Sequence, residues 1–192
     1  MKRRGIIGLI WLALLGLGSP ATAQDEAEQA RNGLYILGSF GFGSEAFDTK
    51  PPPPFTINPA IGVKGIVGFK FLTYLAVQAD VEWLGTGFQL EPDTDSTNES
   101  LMTPLTFTVD AKATPLKGKY QPYILAGVGL LHATSDQDPT RTALAARFGG
   151  GVDIMTTEHT MLSFGISYVL ATGDLDGLSY LSYDILQFGY RF

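Results

Sequence analysis

The residues of this chain best suited to acid–base chemistry are its two histidines, His132 and His159. A hydrolase would need a nucleophile and a general base side by side. His132 forms a His-x-Thr pair with Thr134 instead of a His-x-Ser pair, and His159 falls in a short turn between apolar segments. The chain contains no cysteine, which excludes thiolate chemistry and disulfides. We therefore predict no catalytic residues and no cofactor.

A second group of residues that could have a chemical role consists of charged side chains in segments where polar and apolar residues alternate. Its members are Lys64, Asp80, Glu82, Asp110, Lys112, Arg147 and Asp153. In the segment 75–83 every odd position is apolar, whereas the even positions include Asp80 and Glu82. A period of two places the two sets of side chains on opposite faces of a β-strand. The charges therefore lie on the polar face of a sheet, and their role depends on where that face points.

Segments with this period predict eight strands, over residues 34–43, 61–71, 75–83, 105–114, 120–132, 144–154, 162–170 and 180–192. Their lengths match the ~10 residues with which a tilted strand crosses a bilayer. The connections after the second, fourth and sixth strands are short and the others are longer. In the hairpin of the second and third strands, we expect residue i to pair with about 145 − i.

The last strand carries apolar residues at alternate positions up to the end of the chain, namely Leu186, Phe188, Tyr190 and Phe192. Such a strand would fray at the terminus of a soluble protein. In a closed barrel its edges are paired and its aromatic face meets lipid. Aromatic residues also divide into two belts, an outer one of Phe40, Phe42, Trp83, Tyr168 and Tyr180 and an inner one of Phe69, Phe71, Tyr120, Tyr190 and Phe192.

These patterns predict an all-β, eight-stranded, antiparallel up-and-down transmembrane β-barrel. Short turns would face the periplasm and longer loops the outside. The fifth strand is apolar on both faces, and we place Ile124, Ala126, Val128 and Leu130 outward, which leaves Gly127 and Gly129 inside. The alternative is a soluble lipocalin-like barrel or β-sandwich, in which the apolar face would point inward.

The N-terminus predicts export. Lys2, Arg3 and Arg4 precede an uncharged apolar run over 5–18 and the small-residue site Ala21-Thr22-Ala23. This pattern is typical of a secretory signal peptide, and the run is shorter than the ~20 residues of a spanning helix. We predict a signal peptide over 1–23, a periplasmic lead-in over 24–32 and the barrel over 33–192. The net charge of −6 argues against nucleic acid as a partner.

Four segments, LYILGSFGFG, QPYILAGVG, RFGGGVD and LQFGYRF, together resemble the OmpA-like eight-stranded outer-membrane barrels. The resemblance spans the predicted mature chain. It implies a place in the cell outer membrane of a Gram-negative bacterium, contact with membrane lipid and lipopolysaccharide, and recognition of the C-terminal residues Leu186, Phe188, Tyr190 and Phe192 by the barrel assembly machinery. Because the chain ends at Phe192, we expect a small stand-alone barrel without a peptidoglycan-binding domain, and a monomer.

The inward charges suggest a salt-bridge network of Lys64, Asp80, Glu82 and Arg147. An eight-stranded barrel is only wide enough for its own side chains. We expect four glycines, Gly127, Gly129, Gly149 and Gly151, to leave room for the Arg147 side chain to cross. The network could simply plug and stabilise the barrel, or it could act as the gate of a narrow pore. Arg147→Ala should raise conductance in the second case and only lower stability in the first.

The long loops are rich in acidic residues, namely Glu45, Asp48, Glu91, Asp93, Asp95, Glu99, Asp136, Asp138, Asp174 and Asp176. The segments 93–95 and 174–177 resemble calcium loops but lack the full ligand spacing, so we predict no metal site. Divalent cations could still bridge these loops to each other or to lipopolysaccharide phosphates.

The sequence thus predicts a non-enzymatic outer-membrane barrel with a structural or surface role. The alternatives are a narrow gated porin-like channel for small solutes, adhesion or recognition through the loops, and a lipid A-modifying enzyme.

Overall fold

The computed structural model describes residues 32–45, 56–57, 60–86, 88–91, 100–135, 140–175 and 178–192. Its strands are β1 Gly33–Glu45, β2 Thr56–Ile57, β3 Ala60–Leu72, β4 Leu75–Trp83, β5 Phe88–Glu91, β6 Ser100–Ala113, β7 Tyr120–Ser135, β8 Arg141–Met155, β9 Thr160–Ala171 and β10 Tyr180–Arg191. One short 3-10 helix, η1, covers Gly173–Leu175. None of the helical segments in these ranges is long and apolar enough to cross a membrane. The predicted signal peptide and most of the predicted lead-in lie outside the described residues.

Eight of these strands form a closed antiparallel barrel. Each pairs with its neighbours in the order β1, β3, β4, β6, β7, β8, β9 and β10. The pairing of β1 with β10, from Tyr35↔Arg191 to Glu45↔Tyr180, closes the ring. Because every edge is paired, the wall leaves no open row of backbone donors and acceptors. The predicted eight-stranded barrel is confirmed.

The sequence did not predict β2 and β5, which lie within two of the long connections. β5 pairs with the start of β6 through Phe88↔Met102, and β2 pairs with β5 through Thr56↔Glu91. Both are short, and a strand of a few residues carries too little alternation to be recognised from sequence.

The outward face of the barrel is apolar. In β3 the side chains alternate strictly between buried and exposed, and Val67 and Phe69 lie on the exposed face. Phe40 is 72% exposed and Val128 is 70% exposed, which would be costly in water. Lipid removes that cost, since an apolar face is what a spanning barrel presents to the bilayer. The parity predicted for β7, with Ile124, Val128 and Leu130 outward, is correct.

The connections give the barrel two different ends. The short-turn end carries the turns at 73–74, 114–119 and 156–159, and the long-loop end carries the connections at 46–59, 84–99, 136–140 and 172–179. The predicted pattern holds for three of the four outer connections, whereas the connection at 136–140 is about as short as the turn at 114–119, because β7 and β8 extend to Ser135 and from Arg141. In the β3–β4 hairpin, paired residue numbers from Val63↔Trp83 to Lys70↔Ala76 sum to 146, one more than expected, because the register shifts between Lys70 and Leu72.

A β-bulge interrupts the last strand. Phe40 pairs with Leu186, but the next residue of β1, Gly41, pairs with Asp184. Ile185 is thus the extra residue, and Ile185 and Leu186 both point outward. A bulge inserts one residue into one strand and so shifts the inward–outward alternation of that strand.

Because of the bulge, one predicted side-chain direction in the last strand is wrong, whereas the directions predicted for the C-terminal segment are correct. After it, Leu186, Phe188, Tyr190 and Phe192 all point outward, as predicted for the C-terminal segment. Before it, even-numbered residues point inward. Tyr180 is therefore buried in the barrel and does not belong to the outer aromatic belt, as the unbroken alternation had predicted.

The inward face is layered along the barrel axis. At the long-loop end lies an outer apolar layer of Ala60, Leu84, Leu131, Ala133, Ala143, Ala145, Val169, Ala171, Leu175, Leu178 and Tyr180. A smaller apolar cluster of Tyr35, Leu37, Ile66, Ala76, Met155 and Met161 lies toward the short-turn end. Charged side chains occupy the levels between and beside these clusters.

Candidate functional site

Ten charged side chains are buried inside the described part of the barrel. Five are cationic and five are carboxylates, namely Lys64, Lys70, Lys112, Arg147, Arg191, Asp80, Glu82, Asp110, Asp153 and Asp184. All seven charged residues predicted to face inward are among them. Their contacts divide them into a central cluster and a group near the short-turn end.

Arg147 crosses the lumen at the centre of the barrel. It stands on β8 and is only 1% exposed. Its guanidinium forms an ion pair with Asp80 and donates a hydrogen bond from Nη2 to Glu82 Oε2 at 2.5 Å, both on β4. In the ring of strands β8 and β4 are separated by β6 and β7, so these contacts join non-neighbouring parts of the wall. Charge-assisted hydrogen bonds of this kind are the strong ones.

Lys64 approaches the same carboxylates from β3. Its Nζ lies 3.8 Å from both Asp80 Oδ2 and Glu82 Oε2. It contacts Asp184 more closely, with Nζ 2.9 Å from Oδ1. Lys64, Asp80, Glu82 and Arg147 are thus brought together, and Asp184 joins them. We call these five residues the central cluster.

Asp184 was missing from the predicted network because of the bulge at Ile185. Counting back from Phe192 with an unbroken period of two puts Asp184 on the lipid face. The available signal was the adjacent apolar pair Ile185-Leu186, since two successive apolar residues break the alternation. A charged residue on the lipid-facing surface would also have contradicted the apolar character of that surface.

Glu82 accepts hydrogen bonds from neutral hydroxyl groups in addition to its contacts with cations. Ser182 Oγ donates to Glu82 Oε1 at 2.5 Å, and the Tyr180 hydroxyl donates to Oε2 at 3.4 Å. Tyr180 also shares a hydrogen bond with Thr106 at 2.8 Å. A buried carboxylate with several donors is well compensated for its loss of hydration. Tyr180, which the sequence pattern placed in the outer aromatic belt, therefore belongs to the lumen site.

Lys112 and Asp153 form a separate pair nearer the short-turn end. Lys112 Nζ lies 2.7 Å from Asp153 Oδ2 and 3.9 Å from the centre of the Tyr123 ring. Ser163 Oγ donates to the other oxygen of Asp153 at 2.7 Å. The close ammonium–ring contact adds a cation–π attraction to the ion pair.

Asp110 lies between the two groups without an ion pair of its own among the described residues. Gln78 Nε2 donates to Asp110 Oδ2 at 3.4 Å, and the Tyr35 hydroxyl donates to Gln78 Oε1 at 2.9 Å. Asp110 is completely buried. The seven predicted residues therefore separate into four in the central cluster, one pair and this carboxylate.

The lumen glycines have closer neighbours than Arg147. A Cβ at Gly127 would collide with Asp110 and the backbone of β6, and a Cβ at Gly151 would approach the Tyr123 hydroxyl. Gly129 and Gly149 instead pack against the backbone or side chain of the adjacent strand. The atoms nearest to these four glycines thus belong to shorter side chains and to neighbouring strands, and their role in making room for Arg147 stays a prediction.

Two inward cations, Lys70 and Arg191, were not among the predicted site residues. The alternation of β3 already placed Lys70 on the face of Lys64, so that signal was available. Arg191 alternates with the outward Tyr190 and Phe192, which equally implies an inward side chain. Both line the lumen near the short-turn end.

Two small cavities lie among these side chains. A cavity of about 10 Å³ lies at the central cluster, and one of about 20 Å³ lies near Lys70, Lys112 and Arg191. Spaces of this size hold roughly one water molecule. Neither cavity is wide enough to pass a hydrated ion.

The two histidines, the residues best suited to acid–base chemistry, do not face this interior. His132 points outward from β7, and its Nδ1 shares a hydrogen bond of 2.8 Å with Thr142 Oγ1 on β8. His159 lies in a short turn and stacks on Tyr190. The segment 93–95 and residues 176–177 lie outside the described residues, as do the side chains of most other acidic loop residues.

The sequence matches a family model described as outer membrane protein beta-barrel domain over residues 9–192. No curated protein sequence matches the chain.

Solved outer-membrane barrels share the fold at low sequence identity. The outer membrane protein OprG from Pseudomonas aeruginosa is 17% identical, with a TM-score of 0.57 over 86% of this chain and 98% of that chain. Neisserial surface protein A (NspA) is 13% identical, with a TM-score of 0.58 over 83% and 97%. Outer membrane protein W from E. coli is 14% identical, with a TM-score of 0.52 over 84% and 98%. These likenesses concern the fold.

The family match covers the whole of the closed eight-stranded barrel, and the structural likenesses agree with it. In such barrels the short turns face the periplasm and the long loops face outward. The chain therefore belongs to the outer membrane protein beta-barrel domain family, and it is an outer-membrane β-barrel protein.

Proposed function

We propose that this protein is a closed outer-membrane barrel whose interior charges form a structural plug, and that the barrel acts as a scaffold for its long outer loops. The observation that carries the proposal is the position of Arg147, which crosses the lumen from β8 and binds Asp80 and Glu82 on β4. Because these contacts join non-adjacent strands, they both obstruct the lumen and brace its wall.

The outer apolar layer forms a second obstruction in the lumen, at a different level from the central cluster. It is built from side chains of five barrel strands together with three connection residues, Leu84, Leu175 and Leu178. An apolar constriction excludes water and therefore ions even when it is not sterically sealed. A solute would have to pass both this layer and the central cluster.

The proposed role is non-enzymatic. His132 and Thr142 form a hydrogen-bonded pair on the outward face, but the contacts of His132 among the described residues include no carboxylate that could orient the ring. A general base needs such an orienting partner for efficient nucleophile activation. We expect His132→Ala to leave the lipid A of the host membrane unchanged by mass spectrometry.

Single-channel recording of the refolded protein in a planar bilayer tests the closed state. We expect no discrete current steps from the parent protein. We also expect none from Arg147→Ala, because the outer apolar layer still blocks the path. Adding Leu84→Ser and Leu131→Ser to Arg147→Ala should produce steps, since both obstructions are then weakened. Reproducible steps from the unmodified protein would refute the closed state.

A gated channel is the second candidate, and the contacts of Lys64 favour it. Its Nζ lies between 2.9 and 3.8 Å from three carboxylates, Asp80, Glu82 and Asp184. A cation with several nearby partners can exchange them at small cost, which is the kind of rearrangement that could open a pore. In this case Arg147→Ala alone should give current steps. If it lowers stability without any current, the gate is excluded.

A further inference from the structure

The turn between β6 and β7 places two lysines beside exposed tyrosine rings at the short-turn end of the barrel. Lys117 Nζ lies 5.3 Å from the centre of the Tyr74 ring, and Lys119 Nζ lies 5.8 Å from the centre of the Tyr120 ring. Leu116, in the same turn, is also exposed. We call these five residues the basic turn patch. Both distances are within the range of a cation–π attraction, which keeps each ammonium group close to its ring.

The backbone of the patch is fixed from two sides. Thr114 N donates to Tyr74 O at 2.9 Å, which joins this turn to the β3–β4 turn, and Met155 N donates to Lys119 O at 2.8 Å, which joins it to the end of β8. Between the two lysines, Gly118 has a φ of 104°, in the left-handed region that favours glycine. The lysines therefore project from a turn of defined shape, so that less entropy is lost when they bind a ligand.

Neither lysine of the patch has a carboxylate partner among the described residues. The described ion pairs all join side chains of the lumen. Glu158 is the one acidic residue of the three short turns, and it belongs to none of these pairs. An ammonium group carries three hydrogen-bond donors, so each lysine retains donors for an anionic ligand outside the chain.

The patch lies at the level where lipid headgroups meet the barrel wall. Tyr120 begins β7 on the outward face, and Tyr74 and Leu116 are about half-exposed. Tyrosines at the edge of an apolar band lie at the level of the headgroups, and the long side chains of neighbouring lysines reach the phosphates there. Because short turns face the periplasm, these headgroups belong to the inner leaflet, which consists of phospholipids.

Attraction of an anionic headgroup is a local property of this patch. The chain has a net charge of −6 and its long loops are acidic, so the protein as a whole repels anionic lipid. Each lysine close to an anionic membrane surface raises the affinity by a factor of about five. A zwitterionic headgroup has no net charge and therefore gains less from the two lysines.

We propose that the basic turn patch is a binding site for an anionic phospholipid of the inner leaflet. The headgroup phosphate lies between Lys117 and Lys119, and the acyl chains lie against Leu116 and Tyr120. This ligand class matches both parts of the patch, since a soluble phosphate would use the lysines and leave the apolar side chains uncovered. The site is on the outer wall and does not depend on whether the lumen conducts.

Quenching of tryptophan fluorescence by brominated lipid tests the site in symmetric vesicles. The reporter is the refolded mature protein with Trp83→Phe and Tyr120→Trp, which leaves one tryptophan, at the patch, and keeps an aromatic ring beside Lys119. Vesicles of phosphatidylcholine receive increasing fractions of brominated phosphatidylglycerol or of brominated phosphatidylcholine. We expect the reporter to bind phosphatidylglycerol about three- to tenfold more tightly than phosphatidylcholine. Trp83 of the parent protein, at the long-loop end, should show no preference between the two lipids.

Substitution of the lysines in the reporter shows whether they cause the preference. Lys117→Gln and Lys119→Gln together should abolish it, and each alone should reduce it about two- to threefold. Arg141→Gln is the matched control, because it removes an exposed positive charge at the opposite end of the barrel and should leave the preference unchanged. The heat-dependent shift in electrophoretic mobility confirms that each variant is folded.

Three results would overturn the proposal. The first is a reporter that binds the two lipids equally, and the second is a preference that survives the double lysine substitution. The third is a preference that disappears when sodium chloride is replaced by sodium phosphate at equal ionic strength, because the lysines would then bind a soluble anion in place of a lipid. Equal ionic strength keeps the screening of charges constant between the two salts.

Discussion

Arg147 and Lys64 meet the same two carboxylates from different strands of the barrel. Arg147 extends from β8 and Lys64 from β3, while Asp80 and Glu82 both stand on β4. In the low dielectric of a lipid-surrounded interior, each partner that is removed leaves the others buried and under-compensated. Single substitutions in this cluster should therefore affect stability far more than equivalent changes on the surface.

Arg147→Met provides the clearest test at this scale. We expect it to lower the free energy of unfolding by about 3–5 kcal/mol, because Asp80 and Glu82 lose their main cation. The measurement is urea unfolding in lipid vesicles, followed by the difference in electrophoretic mobility between the folded and the heated barrel. Arg141→Met on the same strand is the control, since Arg141 is exposed and should cost less than about 1 kcal/mol. Equal effects of the two substitutions would exclude a stabilising central cluster.

Two glycines of β3 differ in what surrounds them. Gly68 faces inward, and a Cβ there would collide with the Tyr35 ring, whereas Gly65 faces outward with open space around it. Gly68→Ala should therefore lower the free energy of unfolding by about 1–3 kcal/mol through overpacking. Gly65→Ala should be neutral or stabilise the barrel slightly, since alanine suits an extended strand better than glycine. Urea unfolding of both variants checks this, and a Gly68→Ala barrel as stable as the parent would show that Tyr35 moves freely.

At the scale of the element, the bulge in β10 decides which side chains enter the lumen. It lets one strand present aromatic residues to lipid at its end and Tyr180, Ser182 and Asp184 to the interior at its start. Both neighbouring strands, β1 and β9, shift register at this point. Because of the extra residue Ile185, one member of the central cluster, Asp184, and two hydrogen-bond partners of Glu82, Tyr180 and Ser182, face the lumen.

Deleting Ile185 should prevent the barrel from folding. An unbroken alternation would turn either Asp184 and Ser182 toward lipid or Phe188 and Tyr190 into the filled lumen. A buried or lipid-facing charge without partners costs several kcal/mol. The measurement is the refolding yield in lipid vesicles, taken from the heat-dependent shift in electrophoretic mobility, with Ile185→Val as the control that keeps the bulge. A normal yield from the deletion variant would mean that the strand accommodates either parity.

At the scale of the whole molecule, polarity is inverted relative to a water-soluble protein. Apolar side chains cover the outer wall, and the described part of the lumen holds ten charged side chains between and beside its two apolar clusters. The hydrophobic effect therefore favours insertion into lipid, and ion pairs with hydrogen bonds between strands hold the interior. The two levels at which we propose that the lumen is closed agree with a barrel whose stability comes from its filled interior.

Trp83 reports this inversion directly. It stands on the outward face of β4, half-exposed, and it is the one tryptophan outside the predicted signal peptide. On refolding into vesicles its emission should shift to shorter wavelength, because the ring leaves water for the membrane interface. Lipids brominated on their acyl chains should quench it by roughly half or more, while aqueous acrylamide should quench it much less than in the unfolded chain. Strong acrylamide quenching with no effect of brominated lipid would place the ring away from the bilayer.

The sequence by itself determined the number of barrel strands, the sidedness of most of them and most of the alternation of short and long connections. It did so because a period of two is a local property that a few residues reveal, and because lipid outside and charge inside leave no ambiguity in β3 or β4. The inward direction of all seven predicted charged residues, including Asp110 and Asp153, followed from the same rule.

Only the tertiary structure decided which of those charges meet. The bulge at Ile185 depends on how β10 pairs with β1 and β9, so the inward positions of Tyr180 and Asp184 cannot be counted from the C-terminus. The contacts of Arg147 across the lumen depend on the relative heights of non-adjacent strands. Each relative height is the sum of the register offsets of all the strand pairs that lie between the two strands in the closed wall. Sequence gives the face on which a side chain lies, whereas the partner it meets is fixed by the relative heights of distant strands.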